Sequence, residues 1–133
     1  MIVLDTHVLV WLDQGLPELG QQCRGLTDRA LADDALTVSA ITFWEVAMLV
    51  ARKRLALELT VDQWRRDLLA AGLREIPVDG RVGIRAASLI DLHRDPADRL
   101  IAATAEVHEA SLATADRRLL DWRSEVPRLD ARA

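Results

Sequence analysis

The chain opens Met1-Ile2-Val3-Leu4-Asp5-Thr6-His7, four apolar residues, two of them β-branched, running straight into an aspartate. A short unbroken apolar run of this kind reads as a strand buried on both faces, the habit of strands at the centre of a parallel sheet. In such sheets ligands bind outside the carboxyl ends of the strands, where the strand order reverses. Asp5 falls at that edge. One aspartate there decides little, so its weight depends on what other stretches bring to the same place.

Working outward, Thr6 can cap a short helix through Val8, Leu9, Trp11 and Leu12, ended by Gly15 and Pro17. Glu18 to Asp33 carries Leu19, Cys23, Leu26, Ala30 and Leu31 among polar residues, an amphipathic surface helix. Ala35 to Val38 reads as a second buried strand. Ser39 then caps a helix from about Ala40 to Arg54 that is apolar on nearly every face, as in a helix buried all round or partly given to a partner. Trp44 is read there as core. Glu45 is the only charge between Asp34 and Arg52. An ionised carboxylate among apolar groups costs several kcal/mol unless paired or bound to metal. Glu45 therefore either pairs with an arginine or faces a gap, or it reaches a site near Asp5.

Thr60 caps a helix from Val61 to Ala71, stopped by Gly72, and Leu73 to Val78 is a strand candidate weakened by Pro77. Asp79 caps a helix from Gly80 to about Leu92. Ser111 to Thr114 is a fourth short strand, Asp116 to Trp122 a short helix, and Val126 to Leu129 an edge strand. Strands alternating with helices predict an α/β sandwich with a mostly parallel sheet, in one domain over residues 1–133.

Composition narrows the field. Half of the 133 residues are hydrophobic and 29% charged, a globular balance. A single cysteine, Cys23, excludes an intramolecular disulfide and a cysteine zinc cage. No membrane span or signal peptide is apparent, so the expected location is the cytoplasm. The net charge of −4 argues against holding nucleic acid by bulk positive charge, although sixteen arginines against one lysine leave room for local phosphate-binding patches.

The stretch His93-Arg94-Asp95-Pro96-Ala97-Asp98-Arg99 opens a helix with Asp95 at the N-cap, Pro96 at N1 and Asp98 at N3. Both aspartates, and Asp116 after the fourth strand, can be read as helix caps and no more. Together with Asp5 and Glu45, however, they stand at places that a parallel sheet can bring to one edge. Four carboxylates so gathered raise one another's pKa values, and a divalent cation with a taste for oxygen, Mg²⁺ or Mn²⁺, removes the conflict.

Asp5-Thr6-His7, Ser39-Ala40-Ile41 with Glu45, the block from His93 to Arg99, and Thr114-Ala115-Asp116 resemble, in order and in length, a PIN domain. More closely, they resemble the VapC-type toxins of bacterial toxin–antitoxin pairs. Asp95-Pro96-Ala97-Asp98-Arg99 is the most specific part. The resemblance implies a three-layer αβα sandwich with a central parallel sheet. It also implies an endoribonuclease using one or two Mg²⁺ or Mn²⁺ ions on structured RNA such as tRNA or rRNA. It implies Asp5, Glu45, Asp98 and Asp116 as the acidic quartet, with Thr6 and Thr114 as accompanying hydroxyls and Asp95 as the cap beside the site. A homodimer and a small VapB-like antitoxin are the implied partners.

Other positions are left with two readings. Arg99 can pair with a quartet carboxylate or touch RNA phosphate. Arg52-Lys53-Arg54, Arg65-Arg66 and Arg117-Arg118 can guide RNA or be solvated helix faces. His7, His93 and His108 are read as structural or surface residues. Against an enzyme stands a non-catalytic module whose acidic cluster merely binds a metal or a basic partner. Phosphoryl transfer at an aspartate lacks a suitably placed lysine. Nucleotide binding lacks a Gly-x-Gly-x-x-Gly or Walker motif, and serine hydrolysis lacks a Gly-x-Ser-x-Gly elbow.

Overall fold

A computed structural model describes the whole chain, residues 1–133. The first strand, β1 (Ile2–Leu4), needs only three residues because it is paired on both sides. β2 (Leu36–Ser39) and β4 (Ser111–Thr114) flank it, with Val3 opposite both Thr37 and Leu112. β3 (Arg74–Ile76) lies outside β2 and β5 (Arg128–Asp130) outside β4, so the order is β3-β2-β1-β4-β5. Every pairing is parallel. The order reverses between β1 and β4, which is where Asp5 leaves the sheet.

Alternating side chains give the sheet two apolar faces. Leu4, Val38 and Ala113 share one core with residues of α1 (Thr6–Gln14), α2 (Gln21–Ala32) and α4 (Val61–Ala70). Val3 and Leu112 share the other with α5 (Gly80–Ser88), α6 (Pro96–Val107) and α7 (Arg117–Leu120). α3 (Ile41–Ala51) sends Phe43 and Val46 into the first core. The result is the expected αβα sandwich. No helix is long and apolar enough to cross a membrane.

Several local expectations are corrected. The N-cap of α1 is Asp5, whose Oδ1 accepts the Thr6 N–H at 2.8 Å, so Thr6 is left free for another partner. Ser39 Oγ does accept the Ile41 N–H, but the helix is shorter than predicted and Ala40 is its cap residue. Trp44 is not core: it is 52% exposed, because only the Thr42, Phe43 and Val46 side of α3 is buried. α2 begins at Gln21, behind Gly20, rather than at Glu18. β5 starts two residues and ends one residue later than the predicted edge strand.

α5 ends at Ser88, short of Leu92, and an arginine explains why. Arg99 Nε donates to the Ala86 carbonyl at 2.9 Å and Nη2 to that of Leu89 at 2.6 Å. Its Nη1 donates to Leu92 at 3.0 Å and His93 at 3.2 Å. One guanidinium thus satisfies carbonyls at the end of the helix that would otherwise lack donors. Arg99 therefore pairs with no quartet carboxylate, and four of its five N–H donors go to main-chain carbonyls. It pins the 89–93 segment to the start of α6. Arg99→Met is expected to lose about 2–4 kcal/mol of unfolding free energy, since it strands buried carbonyls. Arg99→Lys should recover only part, because an ammonium lacks the planar fork. Urea unfolding checks both.

Candidate active site

Because all five strands run the same way, their carboxyl ends open on one edge, and the first residues after them meet there. Asp5, just past β1, is 6% exposed. Its Oδ2 accepts the Thr114 hydroxyl at 2.7 Å, and its own N–H donates to the Ala113 carbonyl at 2.9 Å. Burial pushes the Asp5 carboxyl above its ordinary value, opposed by the donors from Thr114 and Thr6. Asp116, just past β4, caps α7 and donates its N–H to Thr114 Oγ1 at 3.0 Å. A single threonine hydroxyl therefore links two of the four acids.

Glu45 comes from α3. Its Oε1 accepts the Thr6 hydroxyl at 2.5 Å, and Thr6 in turn lies 3.1 Å from the hydroxyl of Thr42. The two readings of Glu45 are thereby resolved: no arginine pairs with it, and it faces the edge shared by Asp5. Burial raises its pKa, and the charge of Asp5 adds to the rise despite the Thr6 bond. Asp98, in the first turn of α6, has its N–H capped by Asp95 Oδ1 at 3.0 Å, so Asp95 is the cap expected of it.

The carboxyl of Asp98 is raised as well. Burial first, then the charges of Asp5, Asp95, Glu45 and Asp116, raise its pKa to about 7. Asp116 goes the other way, since bonds from the side chain and N–H of Arg118 outweigh its partial burial. Arg118 Nε and Nη2 lie 3.2 and 3.0 Å from the two Asp116 oxygens, and Nη2 lies 3.9 Å from Asp98. Arg118 is thus part of the site, a role that its neighbour Arg117, paired with Asp121, does not share.

Asp5, Glu45, Asp95, Asp98 and Asp116 all line one open cleft of about 340 Å³. Its remaining walls include the cationic or titratable side chains of His7, Arg118 and Arg132, with Arg132 stacked 5.3 Å from the Trp11 ring. Larger clefts of about 560 and 720 Å³ lie elsewhere, but neither is lined by any of the four acids. Missed from sequence were the cleft-lining His7 and Arg132, and also His93. His93 Nε2 lies 3.2 Å from Asp98 Oδ2, and His93, Asp98 and Asp116 present donor atoms within 4.8 Å of one another. For His93, its place two residues ahead of a helix cap was the only available signal.

Mutually repelling, partly buried oxygens with one nearby arginine suit a hard divalent cation, so Mg²⁺ or Mn²⁺ fits this donor set.

With that fold and that acidic edge, residues 2–123 match the PIN domain family, and the chain belongs to it. Within the family it is similar to ribonuclease VapC22 of Mycobacterium tuberculosis, 35% identical over 127 residues and 95% of each chain. Among solved structures it is similar to FitAcB from Neisseria gonorrhoeae, with 25% identity over 97% of this chain and 96% of that one, at a TM-score of 0.65. VapBC2 from Rickettsia felis, bound to a promoter DNA fragment, superposes at a TM-score of 0.70 over 97% and 98% of the chains. At 17% identity that likeness concerns the fold alone.

The electrostatics make a stability prediction. A carboxyl with a folded pKa of about 7, against an ordinary 3.8, holds its proton in the fold where the unfolded chain would release it. That contribution is whole below about pH 4 and is lost as pH rises to about 7. Without metal, Asp98→Asn is therefore expected to be the more stable protein at pH 8. The gain is about 1–2 kcal/mol once solvent screening in an open cleft is allowed for. The gap should narrow at pH 5. Thermal unfolding in EDTA at the two pH values measures it.

Proposed function

We propose that the chain is a metal-dependent endoribonuclease that hydrolyses phosphodiester bonds in structured cellular RNA, tRNA or rRNA, in the cytoplasm. We propose further that a VapB-like antitoxin holds it inactive. The observation that carries this reading is the convergence of Asp5, Glu45, Asp98 and Asp116 in one cleft. The similarity to a protein named as a ribonuclease supports it.

Asp5, Asp98, Asp116 and Glu45 would hold one or two Mg²⁺ or Mn²⁺ ions. Such an ion, when bound, supplies an activated hydrolytic water and offsets charge developing on the phosphate. The chain's own residues do the rest. Thr114 and the Thr6 N–H fix the Asp5 carboxylate, and the Thr6 hydroxyl aims Glu45 into the cleft. Rigid donors of this kind keep an acidic ligand oriented before any ion arrives. Arg118 and Arg132 put positive charge in the cleft wall, where an RNA backbone can be held despite the net negative charge of the chain. A looped or single-stranded segment suits so open a cleft, since its backbone is accessible. A homodimer or an antitoxin would cover apolar side chains left in solvent, Trp44 on α3, Ile84 on α5 and Ile90 just beyond it.

Purified antitoxin-free protein, incubated with a tRNA and rRNA pool, is expected to give discrete fragments with Mg²⁺ or Mn²⁺ and none with EDTA. Asp5→Asn, shown folded by circular dichroism, should lower cleavage at least about 100-fold, since even residues that only orient a metal ligand cost 10–100-fold. Fragments that persist undiminished in Asp5→Asn would sink the assignment. So would failure of folded protein to cleave under every metal condition, which would favour a binding module.

A further inference from the structure

We propose that His93 is a positioning residue for Asp98 and not a metal ligand, an inference that rests on the metal-nuclease reading above. By distance alone His93 qualifies as a ligand, since it stands with Asp98 and Asp116 in one tight group. The two ring nitrogens decide otherwise. Nδ1 lies 3.3 Å from the Asp95 backbone nitrogen, whose N–H donates to it. A nitrogen that accepts carries no proton, so the neutral ring bears its hydrogen on Nε2. A protonated Nε2 cannot bind a cation. It can only donate.

Nε2 is buried and makes no aligned hydrogen bond, and Asp98 Oδ2 is 3.2 Å away. A buried N–H without an acceptor is unfavourable, and a small ring rotation toward Oδ2 satisfies it. The backbone around the ring is already held. Arg99 binds the carbonyls of Leu92 and His93, the Arg99 N–H donates to the Asp95 carbonyl, and Asp95 Oδ1 accepts the Asp98 N–H. Residues 92 to 99 are thus tied to one another on the sequence side from which Asp98 rises. His93 engages Oδ2 and leaves the other oxygen of Asp98 for the cation. It is the donor that orients a metal-binding carboxylate from behind, the arrangement of second-layer partners in metal sites generally.

The test combines a tautomer measurement with metal titration. In a long-range ¹H–¹⁵N spectrum of the intact protein, His93 is expected to show a protonated Nε2 and an unprotonated Nδ1, unchanged when Mg²⁺ is added. By calorimetry, His93→Ala should weaken Mn²⁺ binding about 10-fold or more with the fold intact. His93→Gln, whose amide can place an N–H near the same point, should stay within about 3-fold of the unaltered protein. A proton on Nδ1, or equal losses in both variants, would identify a ligand and overturn the proposal. Unchanged Mn²⁺ affinity in His93→Ala would overturn it too. No Mn²⁺ binding by the unaltered protein would instead defeat the metal-nuclease reading, and the tautomer would still report whether His93 donates toward Asp98.

Discussion

Everything at the acidic edge depends on the parallel pairing of a three-residue strand between two others. β1 has no length to spare, and its place at the centre is held by partners on both sides. The Asp5 N–H extends that ladder one step beyond the strand by donating to Ala113. This step fixes where the chain turns into α1, and with it the Asp5 carboxylate. Thr114, the last residue of β4, then reaches Asp5 with its hydroxyl and receives the Asp116 N–H. An antiparallel sheet would have sent neighbouring strand ends to opposite edges, and the two aspartates apart.

Bringing like charges together opposes folding, and the structure shows where the opposition is absorbed. The Asp5 carboxylate accepts from the Thr6 N–H and the Thr114 hydroxyl, and that of Asp116 from the N–H and the guanidinium of Arg118. Glu45 has the Thr6 hydroxyl. Burial still raises the carboxyls of Asp5 and Glu45. Asp98 has the least direct help, with Arg118 only at the margin and His93 misaligned, and its carboxyl is pushed up to about 7. That side chain sits in the first turn of a helix, where the dipole favours negative charge but does not offset burial and four neighbouring carboxylates.

The sheet and the layers were legible in the sequence because each is written in local patterns, whereas the four acids stood as candidates that strand ends, a helix start and a family resemblance put forward. Apolar runs ended by aspartate marked strand ends, and Asp95-Pro96 marked a helix start. What escaped was decided by contacts between distant or differently oriented segments. Trp44 looked like core because α3 is apolar all round, yet only one side of that helix meets the sheet. Thr6 looked like a cap because nothing local shows that Asp5 takes the role and frees the hydroxyl for Glu45, 39 residues away. Arg99 sits beside an acidic residue in sequence, but its side chain points back across the helix start to close the end of α5. His93 was hidden for the opposite reason: its partners are close in sequence, but only the folded loop shows which nitrogen faces which.

The hydroxyl bridge from Thr114 to Asp5 spans 109 residues of chain. During synthesis, at ~5–20 residues per second, β1 is therefore made roughly 5–20 s before the neighbour that completes its edge. Until then Asp5 has no Ala113 to fasten it, Asp98 has no Asp116 beside it, and the cleft does not exist. The sheet order thus acts as a timer on the nascent polypeptide. A ribosome carrying this chain is not exposed to a formed acidic cleft until β4 and Asp116 have been made.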